Sequence, residues 1–332
     1  MPSKDEVRII EQVTLRKLEY VRKYLESKKL TKGGTRVAVR DRLAKLVDQD
    51  DSVIADLQAL LGELDAWGDQ RLKIAKFDLR DVKAFNNASA VQKQIAAAKM
   101  SELVTGEIAI EPPPELTPML IKYVEEGTKR TLYLYAAKSR IVEVLDTSIP
   151  TKTDKRYPGV LFKPYRQEIQ KALDFAEINL TNGDALFSTT LLKSGASYSA
   201  EFTELFDVFQ PLLPLRAAEP VALYKAVKTI PTLPQTEVRT PARKKRTDKG
   251  GEITHRSGSV KNDLRLDKEI MSSERATANT DSYFCNCYWA ALKNLKEPVH
   301  TNLYAPEGEI SILGQVREAS ARHVLQRILA VN

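Results

Sequence analysis

The amino-acid sequence predicts an α+β protein in which a small helical N-terminal module precedes a larger mixed body. Three observations support this class. Apolar residues recur at helical spacing before residue 111, short β-rich runs follow residue 112, and hydrophobic residues make up 42% of the 332 residues. That fraction can form a buried core, and no apolar stretch approaches the ~18 residues that a membrane-spanning helix requires.

The first third of the chain is predicted to be helical. Ser52 is a suitable N-cap for the third helix, and Pro112–Pro114 ends this part because proline lacks an N–H donor. Residues 1–50 are therefore interpreted as one module and residues 51–111 as a helical connector. The predicted helices cover residues 7–28, 36–47, 52 onward and 90–104.

Residues 112–238 are predicted to form an α+β domain. Its β-rich runs are short, and two of them, at 131–135 and 141–145, indicate a hairpin. A further strand is predicted at 159–162. The predicted helices of this domain cover residues 116–126, 165–178 and 200–210.

Residues 239–280 are poor in large apolar side chains and are predicted to be a flexible basic linker. Structure is expected to resume in a C-terminal α/β segment, 281–332, that packs on the α+β body. This segment is predicted to contain a strand at 309–313 and a helix at 315–330.

Positive charge is concentrated in two places. The chain carries 51 Lys and Arg against 44 Asp and Glu, a net charge of +7. Residues 1–50 have a net charge of +5 and residues 239–261 a net charge of +6, which leaves the rest at −4. A polyanionic partner is therefore expected to contact these two regions first.

The segment from Leu18 to Leu43 has the most regular pattern in the sequence. Its apolar positions, with a glycine between them, predict two helices joined by a tight turn. In this hairpin we expect Leu30 to fill the corner and Gly34 to permit the turn. The apolar positions of the two helices are Leu18, Val21, Leu25, Val39 and Leu43.

This pattern resembles the SAP motif, a helix–extended-loop–helix DNA-binding module of chromatin-associated and DNA-repair proteins. The resemblance covers residues 13–48, with Lys29 where the family usually has Gly and with Val at positions 21 and 39. It implies weakly sequence-specific contact with duplex DNA that is AT-rich. The residues that it assigns to DNA are Lys28, Lys29, Lys32, Gly33, Gly34, Thr35, Arg36 and Arg40.

The second basic region contains the run Arg243, Lys244, Lys245 and Arg246, which is also a candidate for DNA contact. The sequence leaves several interpretations open. These interpretations are a nuclear-import signal, a phosphate-binding strap, a linker tuned by phosphorylation at Thr240, and a solvated spacer.

No sequence motif indicates catalysis, a metal ion or a cofactor. Cys285 and Cys287 supply half a tetrahedral zinc site at most, and their aromatic neighbours favour a buried strand. Glu143 and Asp146 lie near Lys138, but the Glu-x-Lys spacing of a nuclease centre is missing. With only two cysteines, the chain is expected in a reducing compartment.

The leading hypothesis is a nonenzymatic chromatin- or nucleoid-associated protein that binds duplex DNA. Its α+β body is expected to contact an unidentified protein, as part of a macromolecular complex. The alternative is a DNA-processing enzyme or subunit whose SAP-like module delivers a catalytic domain. A third reading is a scaffold that binds acidic tails or RNA. A nuclear location is expected, or the cytoplasm or nucleoid of a prokaryote, with no membrane contact.

Overall fold

The structure is a computed structural model that describes residues 2–50, 52–145, 149, 152–153, 156, 161–191, 198–259, 262–277, 280–291 and 297–332. Helices at the N-terminus precede a large antiparallel sheet with further helices packed on it. The predicted α+β class is therefore confirmed.

The elements of the N-terminal half are α1 (Lys4–Leu15), α2 (Leu18–Ser27), α3 (Arg36–Val47), α4 (Ser52–Trp67), β1 (Gln70–Lys76), α5 (Leu79–Val82), α6 (Ala88–Ala97), β2 (Thr117–Glu126), β3 (Lys129–Leu145), β4 (Lys152–Thr153) and β5 (Leu161–Phe162). The elements that follow are β6 (Tyr165–Asn179), β7 (Asp184–Thr190), α7 (Tyr198–Phe209), β8 (Glu219–Pro220), α8 (Tyr224–Thr229), β9 (Val238–Arg246), β10 (Glu252–Arg256), α9 (Lys268–Ala276), β11 (Asp281–Trp289), β12 (Val299–Tyr304), β13 (Glu309–Leu313) and α10 (Glu318–Val331).

Helices α1 to α4 share one hydrophobic core, to which all four contribute fully buried side chains. Val21 and Leu25 of α2 meet Val39 and Leu43 of α3 there, as the hairpin pattern predicts, because residues three and four apart lie on one helix face. Leu30, in contrast, is 37% exposed and does not fill the corner. Helix α3 has the bounds predicted from the sequence.

The predicted helix over 7–28 is two helices, because the chain leaves helical geometry at Arg16. The Arg16 backbone is extended, and its guanidinium lies 2.6 Å from the Asp65 carboxylate, with both side chains almost fully buried. The Lys171 ammonium of β6 lies 3.2 Å from the other oxygen of Asp65. A buried charge needs a close partner, so this triad positions the helical unit on the sheet.

The large sheet runs in the order β10-β9-β11-β12-β13-β1-β7-β6-β3-β2, with β8 beside β1, and the pairings within it are antiparallel. Strand β1 therefore lies at the centre, between β13 from the C-terminal end of the chain and β7. Strands β4 and β5 pair separately. The sheet joins distant parts of the sequence, which fixes the N-terminal unit relative to the C-terminal strands.

Two of the predicted helices are wrong. Residues 116–126 form β2, and residues 165–178 lie in β6. The apolar spacing in β6 resembles a helix because residues 171–176 are buried on both faces of the strand, which removes the alternation of a strand with one exposed face. Gly127, with φ of 61°, begins the two-residue turn that joins β2 to β3.

The predicted hairpin of 131–135 with 141–145 is also wrong. Both runs belong to β3, a continuous strand that pairs with β6 from Thr131 to Leu145. Ala136 and Ala137, which were expected to belong to the connection, are fully buried within this strand. Small side chains fit there because both faces of the sheet are covered.

The flexible linker predicted at 239–280 is replaced by strands β9 and β10 and helix α9. Buried ion pairs allow this polar segment to fold. The Glu274 carboxylate of α9 lies 2.7 Å from the Arg243 guanidinium and 2.8 Å from the Lys245 ammonium, and its other oxygen is 2.8 Å from Nδ1 of His255. Low apolar content therefore does not prevent this segment from packing, because the buried charges around Glu274 are paired.

The remaining predictions at the C-terminal end agree with the structure. The strand at 309–313 is β13, and the predicted helices over 200–210 and 315–330 correspond to α7 and α10. Helices α8 and α10 cover one face of the C-terminal strands, and α7 contributes to a second core on β7. Within the described ranges, no helix combines the length and apolar character needed to cross a bilayer.

Candidate nucleic-acid interface

The loop between α2 and α3 contains the residues that the SAP resemblance assigns to DNA. Helix α2 ends in a turn in which the Leu30 N–H donates to the Leu25 carbonyl at 2.9 Å and the Lys29 N–H to the Glu26 carbonyl at 3.0 Å. This Schellman arrangement needs a left-handed residue, and Lys29 has φ of 59°. Lysine thus adopts the conformation that glycine favours, at a cost of about 1 kcal/mol.

The chain then enters α3 through a second tight turn. Gly34 has φ of 104°, and a Cβ at this position would lie 3.0 Å from Nη2 of Arg42 and 3.2 Å from Cβ of Ala38. Thr35 is the N-cap, and its hydroxyl accepts from the Ala38 N–H at 3.3 Å. Arg36, the first residue of the helix, is exposed, so the N-terminus of α3 faces solvent.

Two arginines hold this loop from the inside. Nη2 of Arg22 donates to the Gly34 carbonyl at 2.8 Å. The Arg42 guanidinium donates to the carbonyls of Thr31 and Gly33. Three carbonyl groups of the loop are thereby bound by side chains of the flanking helices, which fixes the loop conformation in the absence of a ligand.

Cations surround the N-terminus of α3. The Lys32 ammonium lies 2.6 Å from Glu26, in a pair whose side chains are 59% and 57% exposed. The Arg40 guanidinium lies 3.7 Å from Asp41, also at the surface. Exposed pairs of this kind contribute about 0–1 kcal/mol, so both cations can exchange a carboxylate for a phosphate. Lys29 is exposed, and no carboxylate in the described part of the chain pairs with it.

Arg36 lies near Arg166, an arginine that the sequence pattern did not indicate. Its Nη1 donates to the Arg16 carbonyl at 3.2 Å, so the side chain extends toward the end of α1. A groove of about 280 Å³ lies there, and its lining includes Arg36, Arg40 and Arg166 of β6 together with Glu11 of α1. Arg166 is more than a hundred residues from the hairpin in sequence, so only the tertiary structure brings it to this surface.

Lys28 points away from the other cations. Its ammonium lies 3.1 Å from the Asp56 carboxylate of α4 and 5.6 Å from the centre of the Tyr24 ring. Hydrogen bonds from Lys28 and then Tyr24 lower the pKa of Asp56. This lysine therefore connects the hairpin to α4, whereas Gly33, Gly34 and Thr35 lie on the exposed loop with the other assigned residues.

The second basic run has a different environment, because it lies within strand β9. Arg243 and Lys245 contact Glu274, and the Lys245 side chain is only 4% exposed. Burial acts to raise the pKa of Glu274, but the hydrogen bond from Lys245 and the charge of Arg243 lower it. These two cations are therefore occupied within the fold.

Lys244 and Arg246 lie nearer the surface of the same strand. The Lys244 ammonium is 3.0 Å from the Glu252 carboxylate, and the Arg246 guanidinium is 5.0 Å from the centre of the Tyr283 ring. Hydrogen bonds from Tyr283 and Lys244 are the largest causes that lower the pKa of Glu252 to about 2. The run is thus part of a folded sheet and not a strap.

The candidate phosphorylation site lies in the same strand. Thr240 is fully buried, and its hydroxyl is 3.4 Å from the Asp263 carboxylate. A kinase cannot reach this hydroxyl in the folded protein. The interpretation of Thr240 as a site that tunes a linker is therefore wrong for this fold.

The candidate catalytic and metal-binding residues lie in two other places. Cys285 and Cys287 are fully buried in β11, as predicted, and burial raises the pKa of Cys287. The Lys138 ammonium lies 2.5 Å from Glu201 and 2.6 Å from Glu204 of α7, while Asp146 is outside the described residues. Among the residues described, no group of three His, Cys, Asp or Glu side chains is placed to hold a metal ion.

Comparisons with protein-family models and with curated protein sequences give no match to this chain. The geometry of the loop is therefore the basis for assigning a function. Sequence reasoning missed Arg22, Arg42 and Arg166. Arg42 follows Ala38 by one turn of α3, so the sequence itself indicates that Arg42 lies on the face of the helix next to Gly34. No sequence signal indicates Arg166.

Proposed function

We propose that this protein binds duplex DNA through the α2–α3 loop and the N-terminus of α3, as a chromatin- or nucleoid-associated protein. The observation that carries the proposal is the group of exposed cations around a helix N-terminus that is itself exposed. Lys29, Lys32, Arg36 and Arg40 form this group. Its residues coincide with those that the SAP resemblance assigns to DNA.

Backbone groups add to the side-chain charges. The first intrahelical bond of α3 is donated by the Val39 N–H to the Thr35 carbonyl at 3.0 Å. The N–H groups of Arg36 and Val37 precede it and have no partner within the helix. Such groups, together with the positive end of the helix dipole, bind phosphate oxygens.

The fixed loop favours binding without a large conformational change. Arg22 and Arg42 bind three loop carbonyls, so the phosphate-binding groups are already oriented when DNA arrives. Less conformational entropy is then lost on association. Four phosphate contacts predict a log–log salt slope of roughly −3.6.

Contact of this kind gives little sequence discrimination, because phosphates carry no sequence information. A preference for AT-rich duplex is expected where Lys or Arg side chains enter the narrow, strongly negative minor groove. The large α+β body then has the role of contacting a protein partner in the same assembly.

The test is duplex binding by fluorescence anisotropy, with the full chain and the double variant Lys29→Gln/Lys32→Gln. Loss of two phosphate contacts is expected to weaken binding by at least about tenfold at low salt and to reduce the slope by about 1.8. The matched control is Lys83→Gln/Lys93→Gln, which removes two exposed lysines near and on α6 and is expected to leave the salt slope near −3.6.

AT-rich and GC-rich duplexes of equal length separate shape preference from simple charge attraction. Equal loss of affinity in the loop variant and in the control would contradict the proposal, since it would show that DNA affinity depends only on the net charge of the protein. Failure of the unaltered chain to bind any duplex at low salt would also contradict it.

A further inference from the structure

A second surface, distinct from the α2–α3 loop, lies on the open face of strands β11 and β12. The burial of these strands alternates, so that one face is covered and the other is partly exposed. Helices α8 and α10 pack on the covered face, against Cys287, Trp289 and Leu303. The partly exposed face carries Phe284, Asn286, Tyr288, His300, Asn302 and Tyr304.

These six residues, which we call the sheet platform, form three cross-strand pairs. Phe284 lies opposite Tyr304, with ring centres 5.2 Å apart, and Tyr288 lies opposite His300 at 6.1 Å. Between them the Asn286 amide donates to the Asn302 side-chain oxygen at 2.5 Å. The platform thus has aromatic rings at both ends and amides in the middle.

Neighbouring arginines hold the aromatic rings in position. The Arg71 guanidinium lies 3.7 Å from the centre of the Tyr304 ring and 4.8 Å from that of Tyr198, and it pairs with Glu309 at 2.7 Å. Arg239 lies 5.0 Å from the centre of the Tyr288 ring. Cation–π contacts of this kind restrict the rings and so reduce the entropy lost when a flat ligand stacks on them.

Burial lowers the pKa of His300, which favours the neutral form of its ring. The charge of the surface comes instead from the adjoining strands β9 and β10. Lys244 lies opposite Phe284, and Arg256 lies on the same face, opposite Ala242. Arg256 is exposed and has no carboxylate partner within the described ranges, whereas Lys244 shares an exposed pair with Glu252.

We propose that the sheet platform binds single-stranded nucleic acid. Bases stack on the rings of Phe284, Tyr288 and His300, and the backbone phosphates contact Lys244 and Arg256. The Asn286 amide bonds to Asn302 and lies 2.8 Å from Nε2 of His300, so Asn302 is the amide that offers a donor to a base edge. A flat surface with spaced rings lies beside Arg256 and Lys244, whose ion pair with Glu252 is exposed, and it matches a strand of alternating bases and phosphates. A duplex cannot use this surface because its bases are already stacked.

This proposal does not depend on duplex binding by the α2–α3 loop. Residues 28–40, which the structure describes in full, supply cations and backbone amides but contain no aromatic side chain, whereas the sheet platform has both rings and cations. The two surfaces therefore differ in the ligand that they are expected to prefer, and variants in one are expected to leave the other unchanged.

The experiment measures the affinity of the full chain for labelled oligothymidylate, oligouridylate and a duplex of the same length. The variant Phe284→Leu/Tyr288→Leu keeps apolar side chains in the sheet and removes two stacking rings. Loss of stacking of one base weakens binding by about five- to 150-fold, so we expect at least a tenfold loss for single strands and no change for duplex. Comparison of the two oligonucleotides distinguishes RNA from DNA as the source of the strand.

The matched control is Tyr133→Leu/Tyr165→Leu, which removes two aromatic rings elsewhere in the same sheet and is expected to bind single strands like the unaltered chain. Should the platform variant unfold, the surface variant Lys244→Gln/Arg256→Gln replaces it. That variant is expected to reduce the single-strand salt slope by about 1.4.

Three results would overturn the proposal. The first is that the unaltered chain binds neither oligonucleotide at low salt. The second is that the platform and charge variants bind as tightly as the controls. The third is that polyglutamate competes as well as an oligonucleotide of equal charge. The last result would show that the surface attracts any polyanion. The loop variant Lys29→Gln/Lys32→Gln is measured in parallel. If this variant loses affinity for duplex but not for single strands, failure of the duplex proposal can be distinguished from failure of the single-strand proposal.

Discussion

The α2–α3 loop and the run at 243–246 are both dense in positive charge, but the fold uses that charge differently. Around the loop, Lys29 and Lys32 are exposed and are paired at most with an exposed carboxylate. In β9, Arg243 and Lys245 surround the buried Glu274. The difference shows that the availability of a cation depends on whether a buried carboxylate lies within reach, and not on how many cations are adjacent in sequence.

This comparison can be tested first by removing the buried acid. Glu274→Gln keeps the size of the side chain but leaves the charges of Arg243 and Lys245 buried without compensation. We expect the free energy of unfolding to fall by about 3–5 kcal/mol, measured by urea denaturation. Glu26→Gln, which removes the exposed partner of Lys32, is expected to change it by less than about 0.5 kcal/mol. Equal effects would contradict the distinction between the two regions.

A buried carboxyl without a close cation provides the opposite case. Asp174 is fully buried and accepts the Thr190 N–H at 2.9 Å, and burial raises its pKa to about 7. In the unfolded chain this group ionises near its ordinary pKa of 3.8, so the folded state retains the proton over a pH range in which the unfolded state loses it.

The stability of the unaltered protein relative to Asp174→Asn is therefore expected to fall by up to about 1.4 kcal/mol per pH unit between about pH 4 and pH 7, and to level off above that range. Urea unfolding of both proteins across this range is the measurement. A constant difference between them would mean that Asp174 is ionised in the folded state. Glu274, whose pKa is lowered, is expected to contribute the opposite slope below its ordinary pKa of 4.5.

The comparison can be tested next by changing the conformation of the α2–α3 loop. Gly34→Ala places a Cβ at a positive φ and against Arg42, so we expect a loss of about 1–2 kcal/mol in unfolding free energy and weaker duplex binding. Gly33→Ala is the control, because nothing lies within 4 Å of its added Cβ. Unaltered DNA affinity in Gly34→Ala would show that the turn does not orient the binding groups.

The smallest expected effect separates stability from binding at Lys29. Replacing a left-handed lysine with glycine removes strain, so Lys29→Gly is expected to raise the unfolding free energy by about 0.5–1 kcal/mol. It also removes one phosphate contact and is expected to weaken the salt slope by about 0.9. If stability and DNA affinity both increased, the lysine would not be a DNA contact.

The sequence predicts the hairpin well because its contacts are local. Val21, Leu25, Val39 and Leu43 lie within a short segment, and their spacing alone brings them together on two helix faces. Strand β6 is the opposite case. Its buried residues imitate a helical pattern because both faces are covered, and only pairing with β3 and β7 reveals the strand.

The same distinction applies to the functional surfaces. Lys32 and Arg36 are identified by their position in the motif, whereas Arg166 reaches the groove from a strand far along the chain. Glu274 lies about thirty residues from the cations that it neutralises, so no short window shows that Arg243 and Lys245 are occupied. The sheet platform depends on the register of β11 with β12, which alternation alone does not determine.

The most direct measurement is hydrogen–deuterium exchange of the full chain with and without duplex DNA. We predict slower exchange in peptides that cover residues 29–37, where the Arg36 and Val37 amides contact phosphate, and unchanged exchange in 240–246. Protection of 240–246 with no change at 29–37 would contradict it, because the buried cations of β9 would then be the DNA contact and the exposed cations of the loop would not.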